Sequence, residues 1–225
     1  MIELKNVTIA HRGMPVLREA SLQIQPGEVV LLGGRTGSGK TSLIRVLYGD
    51  LQPVEGNVFL NGTDLNGISA GKLPRIRRNL GIIFQDDRLL EDRSVYDNIC
   101  FALSIRVKSR KEINRLALSA LADIGLSHLR SKRPDQLSGG EAQRVGVARA
   151  LASNPPIILA DEPTGDLDPG TTDEIFRFLG SRRSPQTMMV IATHDMDRAE
   201  EAFPDARIIG IEHEQLTELK PRHSA

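Results

Sequence analysis

A short apolar run leads directly into a glycine-rich loop and then a helix-forming segment, and this order restricts the fold more than any other feature. The run Val29–Leu32 has the length and composition of a strand buried on both faces of a parallel sheet. The loop that follows, Gly34–Thr41, reads GRTGSGKT. Its glycines allow backbone angles that direct several N–H groups toward one phosphate at a helix N-terminus. The order strand, loop, helix predicts an α/β fold of the P-loop nucleotide-binding type.

The same loop carries side chains suited to a nucleoside triphosphate. Lys40 is placed to reach the β- and γ-phosphates, and the Thr41 hydroxyl is suited to hold Mg²⁺. We therefore expect ATP and Mg²⁺ to bind here. The expected ATP contacts are Gly34, Arg35, Thr36, Gly37, Ser38, Gly39, Lys40, Thr41 and Ser42.

A second buried-strand pattern, Ile157–Ala160, ends in two carboxylates. Asp161 is suited to accept a hydrogen bond from Mg²⁺-bound water, and Glu162 to polarise the water that attacks the γ-phosphate. An acidic pair after a strand is often only a solvated turn. The glycine loop upstream favours the catalytic interpretation.

Two further strand ends carry polar side chains that suit the same site. Gln85 follows the apolar residues 82–84, and His194 follows the strand Met188–Ala192. Alone, such a Gln would be a loop residue and such a His structural, but α/β sheets bind ligands at the carboxyl ends of their strands. We predict Glu162, His194 and Gln85 as catalytic residues, and Thr41, Gln85 and Asp161 as magnesium ligands.

Another glycine-rich segment, within Leu137–Arg144, reads LSGGEAQR at the start of a predicted helix. Ser138 by itself would be an ordinary helix N-cap. That interpretation leaves Gly139 and Gly140 unexplained, since each glycine costs a helix about 1 kcal/mol. A ligand that approaches the backbone explains them. We expect Ser138–Gly140, called here the Ser-Gly-Gly segment, to hold phosphate, and two such sites on one chain favour two chains facing each other.

Composition excludes several other classes of protein. The 225 residues include 29 Lys plus Arg and 29 Asp plus Glu, so the chain has no net field that attracts nucleic acid, and none is expected as a partner. The single cysteine, Cys100, excludes a disulfide framework and fits a reducing compartment. The first ten residues lack a signal-peptide pattern, and the apolar runs are far shorter than a membrane span. A cytoplasmic location is expected.

The chain reads as one domain with two lobes. Residues 1–85 and about 150–225 form the nucleotide-binding α/β lobe, and about 86–149 form an inserted helical lobe with helices near Arg110–Ile124 and Gly140–Leu151. Strands are predicted over residues 2–9 and Val16–Ile24, with a turn at Gly13–Pro15, and a last strand at Ile208–Ile211. Asp166–Asp168 fits a plain helix N-cap run and is also well placed to reach across a dimer interface.

The motifs occur in the order and spacing of an ATP-binding cassette (ABC) ATPase, which the chain resembles over essentially its whole length. The resemblance implies a mainly parallel sheet core, an N-terminal antiparallel β-subdomain and an inserted helical lobe. It also implies a head-to-tail homodimer, formed when ATP binds between the glycine loop of one subunit and the Ser-Gly-Gly segment of the other, near Asp168. The resemblance further implies that ATP hydrolysis reopens the dimer and moves membrane subunits docked near Gln85.

Within that family, the segment LADEPTG, residues 159–165, resembles a branch of lipoprotein-releasing ATPases, macrolide exporters and the cell-division ATPases FtsE. The tract Phe84–Asn98, with Asp86 and the pair Asp92 and Arg93, looks most like FtsE. That likeness implies an FtsX-like membrane partner docking near Gln85 to Tyr96, motion relayed to cell-wall hydrolases, and a position on the inner face of the cell membrane. The alternatives are a lipoprotein-releasing or macrolide-type exporter and, more remotely, a soluble P-loop ATPase acting on nucleic acid.

Departures from the family pattern occur at His11, at Ala142 (where Gln is frequent in this branch) and after the last strand. His11 stands where an aromatic residue usually stacks on adenine, so His11 is expected to contact the base with a smaller ring. The last strand is followed by Glu212–Glu214 rather than a glycine-containing turn, and Lys220–Ala225 is expected to be a frayed tail.

Overall fold

The computed structural model describes residues 1–69, 71–165 and 167–220, which form an α/β fold. The strands are β1 (Ile2–His11), β2 (Met14–Ile24), β3 (Val29–Gly33), β4 (Glu55–Leu60), β5 (Thr63–Asp64), β6 (Leu80–Ile83), β7 (Ile157–Asp161), β8 (Met188–Ala192), β9 (Arg207–Glu212) and β10 (Gln215–Lys220). The helices are α1 (Lys40–Leu47), α2 (Leu73–Arg77), α3 (Val95–Ser104), α4 (Arg110–Asp123), α5 (Gly139–Leu151), α6 (Pro169–Gly180) and α7 (Met196–Ala202).

The larger sheet contains the strands that the sequence marks as buried. Its order is β10-β9-β3-β8-β7-β6, and every pairing in it is parallel except that of β10 with β9. Strands β3, β7 and β8 are buried at every residue, as expected when helices or a second sheet cover both faces. Their carboxyl ends therefore meet at one edge.

A smaller antiparallel sheet, of order β2-β1-β4-β5, covers one face of the larger sheet together with α1. A hydrophobic core lies on each face of the larger sheet, and successive residues of β3 point alternately into one core and the other. Val30 and Leu32 pack with this sheet and α1, whereas Val29 and Leu31 pack on the side of α3 to α7. The expected parallel core and N-terminal antiparallel sheet are both confirmed.

Helices α3, α4 and α5 come between β6 and β7 in the chain and pack against one another. Each begins at a serine whose side chain accepts a hydrogen bond from a backbone N–H: Ser94 from Asp97, Ser109 from Glu112 and Ser138 from Glu141. Helix α5 is buried along most of its length, because it also contacts β6 and α6. The predicted helices at Arg110–Ile124 and Gly140–Leu151 are confirmed to within one residue at each end.

Two details of the β structure differ from the prediction. The first turn lies at Arg12 and Gly13 rather than at Gly13–Pro15, because both residues adopt positive φ, 51° and 81°, and β2 starts at Met14. The last strand is followed by a further strand, β10, through a turn in which His213 and Glu214 have φ of 49° and 63°. Within the ranges given above, no helix is long and apolar enough to cross a membrane.

Candidate functional site

Four strands of the larger sheet deliver the predicted site residues to the same edge. The glycine loop follows β3, Gln85 follows β6, Asp161 and Glu162 stand at the end of β7, and His194 follows β8. They surround a cleft of about 510 Å³. The cleft is lined by His11, Val16, Thr36, Gly37, Gly39, Lys40, Thr41, Ser42, Gln85, Glu162, Gly165 and His194.

The glycine loop has a backbone that other residues would not adopt without strain. Gly39, the N-cap of α1, has φ of 109°, and a Cβ there would lie 3.1 Å from the Val16 carbonyl oxygen. Gly34 has φ of 145°, and a Cβ there would lie 2.6 Å from Ser38 Oγ. The loop can therefore wrap closely around the start of α1, with its amides facing a ligand.

The glycine loop surrounds the side chain of Lys40, which is only 6% exposed. Its Nζ donates to the carbonyl oxygen of Gly34 at 2.8 Å and lies 3.4 Å from that of Arg35. Glu162 Oε1 lies 3.6 Å from the same nitrogen. A buried ammonium held by two carbonyls and one carboxylate is a cation fixed at the floor of the cleft.

Thr41 and Asp161 form an oxygen-rich pair beside the lysine. Thr41 Oγ1 donates to Asp161 Oδ1 at 3.0 Å, which joins α1 to the end of β7. Burial raises the pKa of the Asp161 carboxyl; the Thr41 hydrogen bond opposes that rise, and the negative charge of Glu162 adds to it. Gln85 is exposed and lines the same cleft. Its amide oxygen is therefore free to contact an ion that binds the oxygens of Thr41 and Asp161.

Glu162 and His194 contact each other across the ends of β7 and β8. Glu162 Oε2 accepts a hydrogen bond from the His194 backbone N–H at 3.0 Å and lies 2.8 Å from His194 Nδ1. The Glu162 side chain is 14% exposed, whereas that of His194 is 60% exposed. The carboxylate is thus sheltered but open to the cleft, and the imidazole faces solvent beside it.

Of the remaining predicted ATP contacts, some line the cleft and others do not. His11 lies on the cleft wall beside Val16, which suits a contact with a base. Gly34, Arg35 and Ser38 build the loop without lining the cleft, and the Ser38 hydroxyl is buried without a hydrogen-bond partner among the described residues. Val16 and Gly165 also line the cleft, although the sequence did not mark them as site residues. The only sequence signal for such a role is that each lies within a few residues of a predicted site residue.

The Ser-Gly-Gly segment lies away from the residues that line the cleft, at the start of α5. Ser138 Oγ accepts from the Glu141 N–H, and the Glu141 carboxylate accepts from the Ser138 N–H at 2.8 Å, a capping box. A Cβ on Gly139 would meet no described atom within 4 Å, and one on Gly140 would meet Thr171 at an ordinary 3.4 Å. The ordinary-cap interpretation accounts for Ser138, but nothing in the described chain requires either glycine.

Asp168 also lies apart from the cleft, as the N-cap of α6. Its carboxylate accepts from the Thr171 hydroxyl and from the backbone N–H groups of Gly170 and Thr171, and these bonds, the Thr171 side chain first, lower its pKa. The N-cap interpretation is therefore confirmed for Asp168. Asp166 lies outside the described residues, as does the part of the predicted tail after Lys220.

Comparison with known proteins agrees with this geometry. The family model described as ABC transporter matches residues 17–165. The chain belongs to this family. It is 39% identical over 198 residues to the cell division ATP-binding protein FtsE of Bacillus subtilis, covering 88% of this chain and 87% of that protein. The FtsE proteins of Mycobacterium tuberculosis and Escherichia coli are 40% and 38% identical, over 87% and 88% of this chain and 86% and 89% of their own lengths. The chain is thus an FtsE-like ABC ATPase.

Solved structures lead to the same conclusion. A dimeric post-hydrolysis state of the ATP-binding cassette MJ0796, bound to ADP and Pi, has a TM-score of 0.90 and 33% identity, with 100% of both chains covered. The cbiO1 subunit of the transporter complex cbiONQ from Clostridium perfringens has a TM-score of 0.83 and 27% identity, covering 96% of this chain and 86% of that chain. The predicted ABC ATPase fold is confirmed.

Proposed function

We propose that this chain is the ATP-hydrolysing subunit of a membrane complex that acts in cell division, working with an FtsX-like membrane protein to relay ATP-driven motion to cell-wall hydrolases. The observation that carries the proposal is the 38–40% identity to cell division ATP-binding proteins over nearly nine-tenths of the chain. The site described above supplies the chemistry that such a role needs. In this proposal the protein is cytoplasmic and held at the inner face of the membrane by its partner.

Glu162 is the proposed general base. Its carboxylate lies between the buried Lys40 ammonium and His194, at the cleft edge where water can approach the γ-phosphate. Lys40 would exchange its carbonyl contacts for β- and γ-phosphate oxygens, because a charged phosphate is a stronger acceptor than a carbonyl. His194 would contact the γ-phosphate, and Gln85 would orient the water. The product of this step is ADP and phosphate.

The oxygen atoms at the centre of the site fit Mg²⁺. Thr41 Oγ1 and Asp161 Oδ1 lie 3.0 Å apart, and the Asp161 carboxylate is buried beside that of Glu162, so a bound cation would neutralise negative charge that is costly there. Thr41, Asp161 and Gln85 would hold the ion, directly or through water. When bound, Mg²⁺ neutralises charge on the β- and γ-phosphates.

The Ser-Gly-Gly segment supports a homodimer on ATP. Its glycines are not required by backbone angle or packing within the described chain, and its helix N-terminus presents unpaired N–H groups, which favour an anion. We propose that it contacts ATP bound in the cleft of a second copy, with Asp168 nearby. Similarity to MJ0796, solved as a dimer, supports this arrangement.

Two experiments test the proposal. In the first, a tagged Glu162→Gln chain is purified with detergent from membranes of the cell of origin. We expect it to retain a four-span membrane protein with one large extracytoplasmic loop, together with a cell-wall hydrolase. In the second, depletion of the chain should lengthen cells by blocking division. Capture of a solute or lipoprotein exporter, with normal division on depletion, would contradict the proposal.

A further inference from the structure

Gln143 is a buried polar residue on α5 that does not reach the cleft itself. It is 6% exposed, and its Nε2 donates to the carbonyl oxygen of Pro163 at 2.9 Å and to that of Phe84 at 3.3 Å. Pro163 directly follows Glu162, and Phe84 directly precedes Gln85. One amide nitrogen therefore joins the ends of β7 and β6, each one residue away from a side chain at the cleft.

Arg149, on the same helix, holds the other end of the segment that carries Gln85. Its Nη1 donates to the Arg88 carbonyl oxygen and its Nη2 to that of Asp87, both at 2.7 Å. Residues 84–88, called here the Gln85 segment, are thus held at both ends by side chains of α5. The exposed Gln85 lies between these two attachment points.

Gly146 allows the helix to come this close. A Cβ on Gly146 would lie 3.3 Å from the Asp87 carbonyl oxygen and 3.5 Å from its Cα, so α5 runs directly against the Gln85 segment. The Gln143 amide keeps its distance to both carbonyl oxygens, because a largely buried carbonyl that loses its donor is costly. The position of the helix therefore sets the positions of the two backbone segments.

We propose that Gln143 and Arg149 are positioning residues that tie the Ser-Gly-Gly segment, at the N-terminus of α5, to Gln85 and Glu162 in the cleft. When the Ser-Gly-Gly segment is displaced by contact with a second copy, α5 moves as one rod and takes the Gln85 segment and the backbone after Glu162 with it. The water and its base are thereby aligned only when α5 is in the dimer position. This inference rests on the proposed function, since it concerns the same ATP site.

The test compares Gln143→Met with the parent chain. Met has a similar volume but cannot donate, so both carbonyls lose their partner while α5 stays packed. We expect kcat for ATP to fall about 10- to 100-fold with KM within about twofold, because alignment rather than binding is lost. Hydrogen exchange in the nucleotide-free protein should be about tenfold faster in peptides covering residues 84–88 and 162–165.

Two further variants separate positioning from stability. Val145→Ala removes buried volume from the same helix but no hydrogen bond, and it should leave kcat and exchange at residues 84–88 unchanged even if it lowers Tm. Arg149→Met should behave as Gln143→Met does, and Arg149→Lys, which keeps one donor group, should recover part of kcat. If Gln143→Met keeps its kcat and its exchange pattern, the inference is wrong, as it also is if Val145→Ala gives the same losses. A parent chain that hydrolyses no ATP even together with its membrane partner would instead contradict the proposed function, and the exchange measurement would still test the inference.

Discussion

At the scale of single residues, the position of Glu162 is set from several directions. Its φ of 46° is in the left-handed region, which costs a non-glycine residue about 1–3 kcal/mol in a strained site. The Glu162 N–H donates to the Ala192 carbonyl oxygen at 2.8 Å, and its own carbonyl accepts from Gly165 at 3.1 Å. The side chain also accepts a hydrogen bond from the His194 N–H, so both the backbone and the carboxylate of Glu162 have local contacts that orient them, as expected for a base whose direction toward the water matters more than its backbone strain.

Replacing Glu162 by Gln tests the general-base role. The amide keeps the size of the carboxyl but cannot take a proton from water, so we expect kcat to fall about 10²- to 10⁴-fold with ATP affinity retained. Steady-state ATPase assays and nucleotide titration measure the two effects. Glu112→Gln, on an exposed ion pair with Arg115, is the matched control and should be neutral. Rapid hydrolysis by the Glu162 variant would rule out the assignment.

Replacing Asp161 is expected to raise the stability of the protein while it abolishes the ATPase activity. The pKa of Asp161 is raised in the folded chain, so the folded protein binds this proton more tightly than the unfolded one, and stability falls as pH rises through that window. At pH 7, Asp161→Asn removes the cost of a buried charge. We expect the nucleotide-free variant to have a higher Tm, by roughly 2–4 °C for each kcal/mol gained, and to lose ATPase activity. The gain should shrink below about pH 4, where the unfolded carboxyl is protonated too; a lower Tm at pH 7 would contradict it.

At the scale of elements, local pattern predicts the strands and loop that build the site but not the contacts that align it. Val29–Gly33 and Ile157–Asp161 are fully buried strands, and their continuous apolar runs show it in the sequence. The β9–β10 hairpin escaped prediction because its turn uses His213 and Glu214 in left-handed conformations, where glycine or asparagine would be expected. Gln143 escaped too, since a side chain bonded to distant backbone carbonyls leaves no periodic signal.

The start of α5 offers a test that separates helix capping from contact between subunits. Ser138→Asp keeps a good N-cap but places a negative charge where the γ-phosphate of the other subunit would lie. Ser138→Ala loses the cap, at about 1 kcal/mol, without adding charge. In a Glu162→Gln background, we expect ATP to drive dimerisation of the Ala variant and not of the Asp variant, measured by light scattering. Equal dimerisation of both would argue against the head-to-tail arrangement.

At the scale of the whole molecule, a candidate docking surface is formed by Arg93 and the end of α3, a few residues along the chain from the Gln85 segment. Arg93 stacks over the Phe101 ring at 4.8 Å; Phe101 on α3 and Ile105, the C-cap of that helix, are 45% and 50% exposed. Asp92 is exposed beside them. An apolar patch next to charged residues is typical of an interface with another protein. Its position, one loop away from Gln85, would let a membrane partner sense the state of the cleft.

Charge reversal on this surface, Asp92→Arg with Arg93→Glu, should therefore separate docking from ATP binding. We expect co-purification with the membrane partner to fall about tenfold or more, because misplaced charges at an interface cost several kcal/mol, while ATP affinity stays unchanged. The matched control reverses the exposed pair Glu112 and Arg115 on α4, which keeps the same net charge and should leave co-purification intact. If the Asp92 and Arg93 variant still co-purifies fully, or if the control loses the partner equally, the partner docks elsewhere and the coupling between docking and Gln85 must run through another part of the chain.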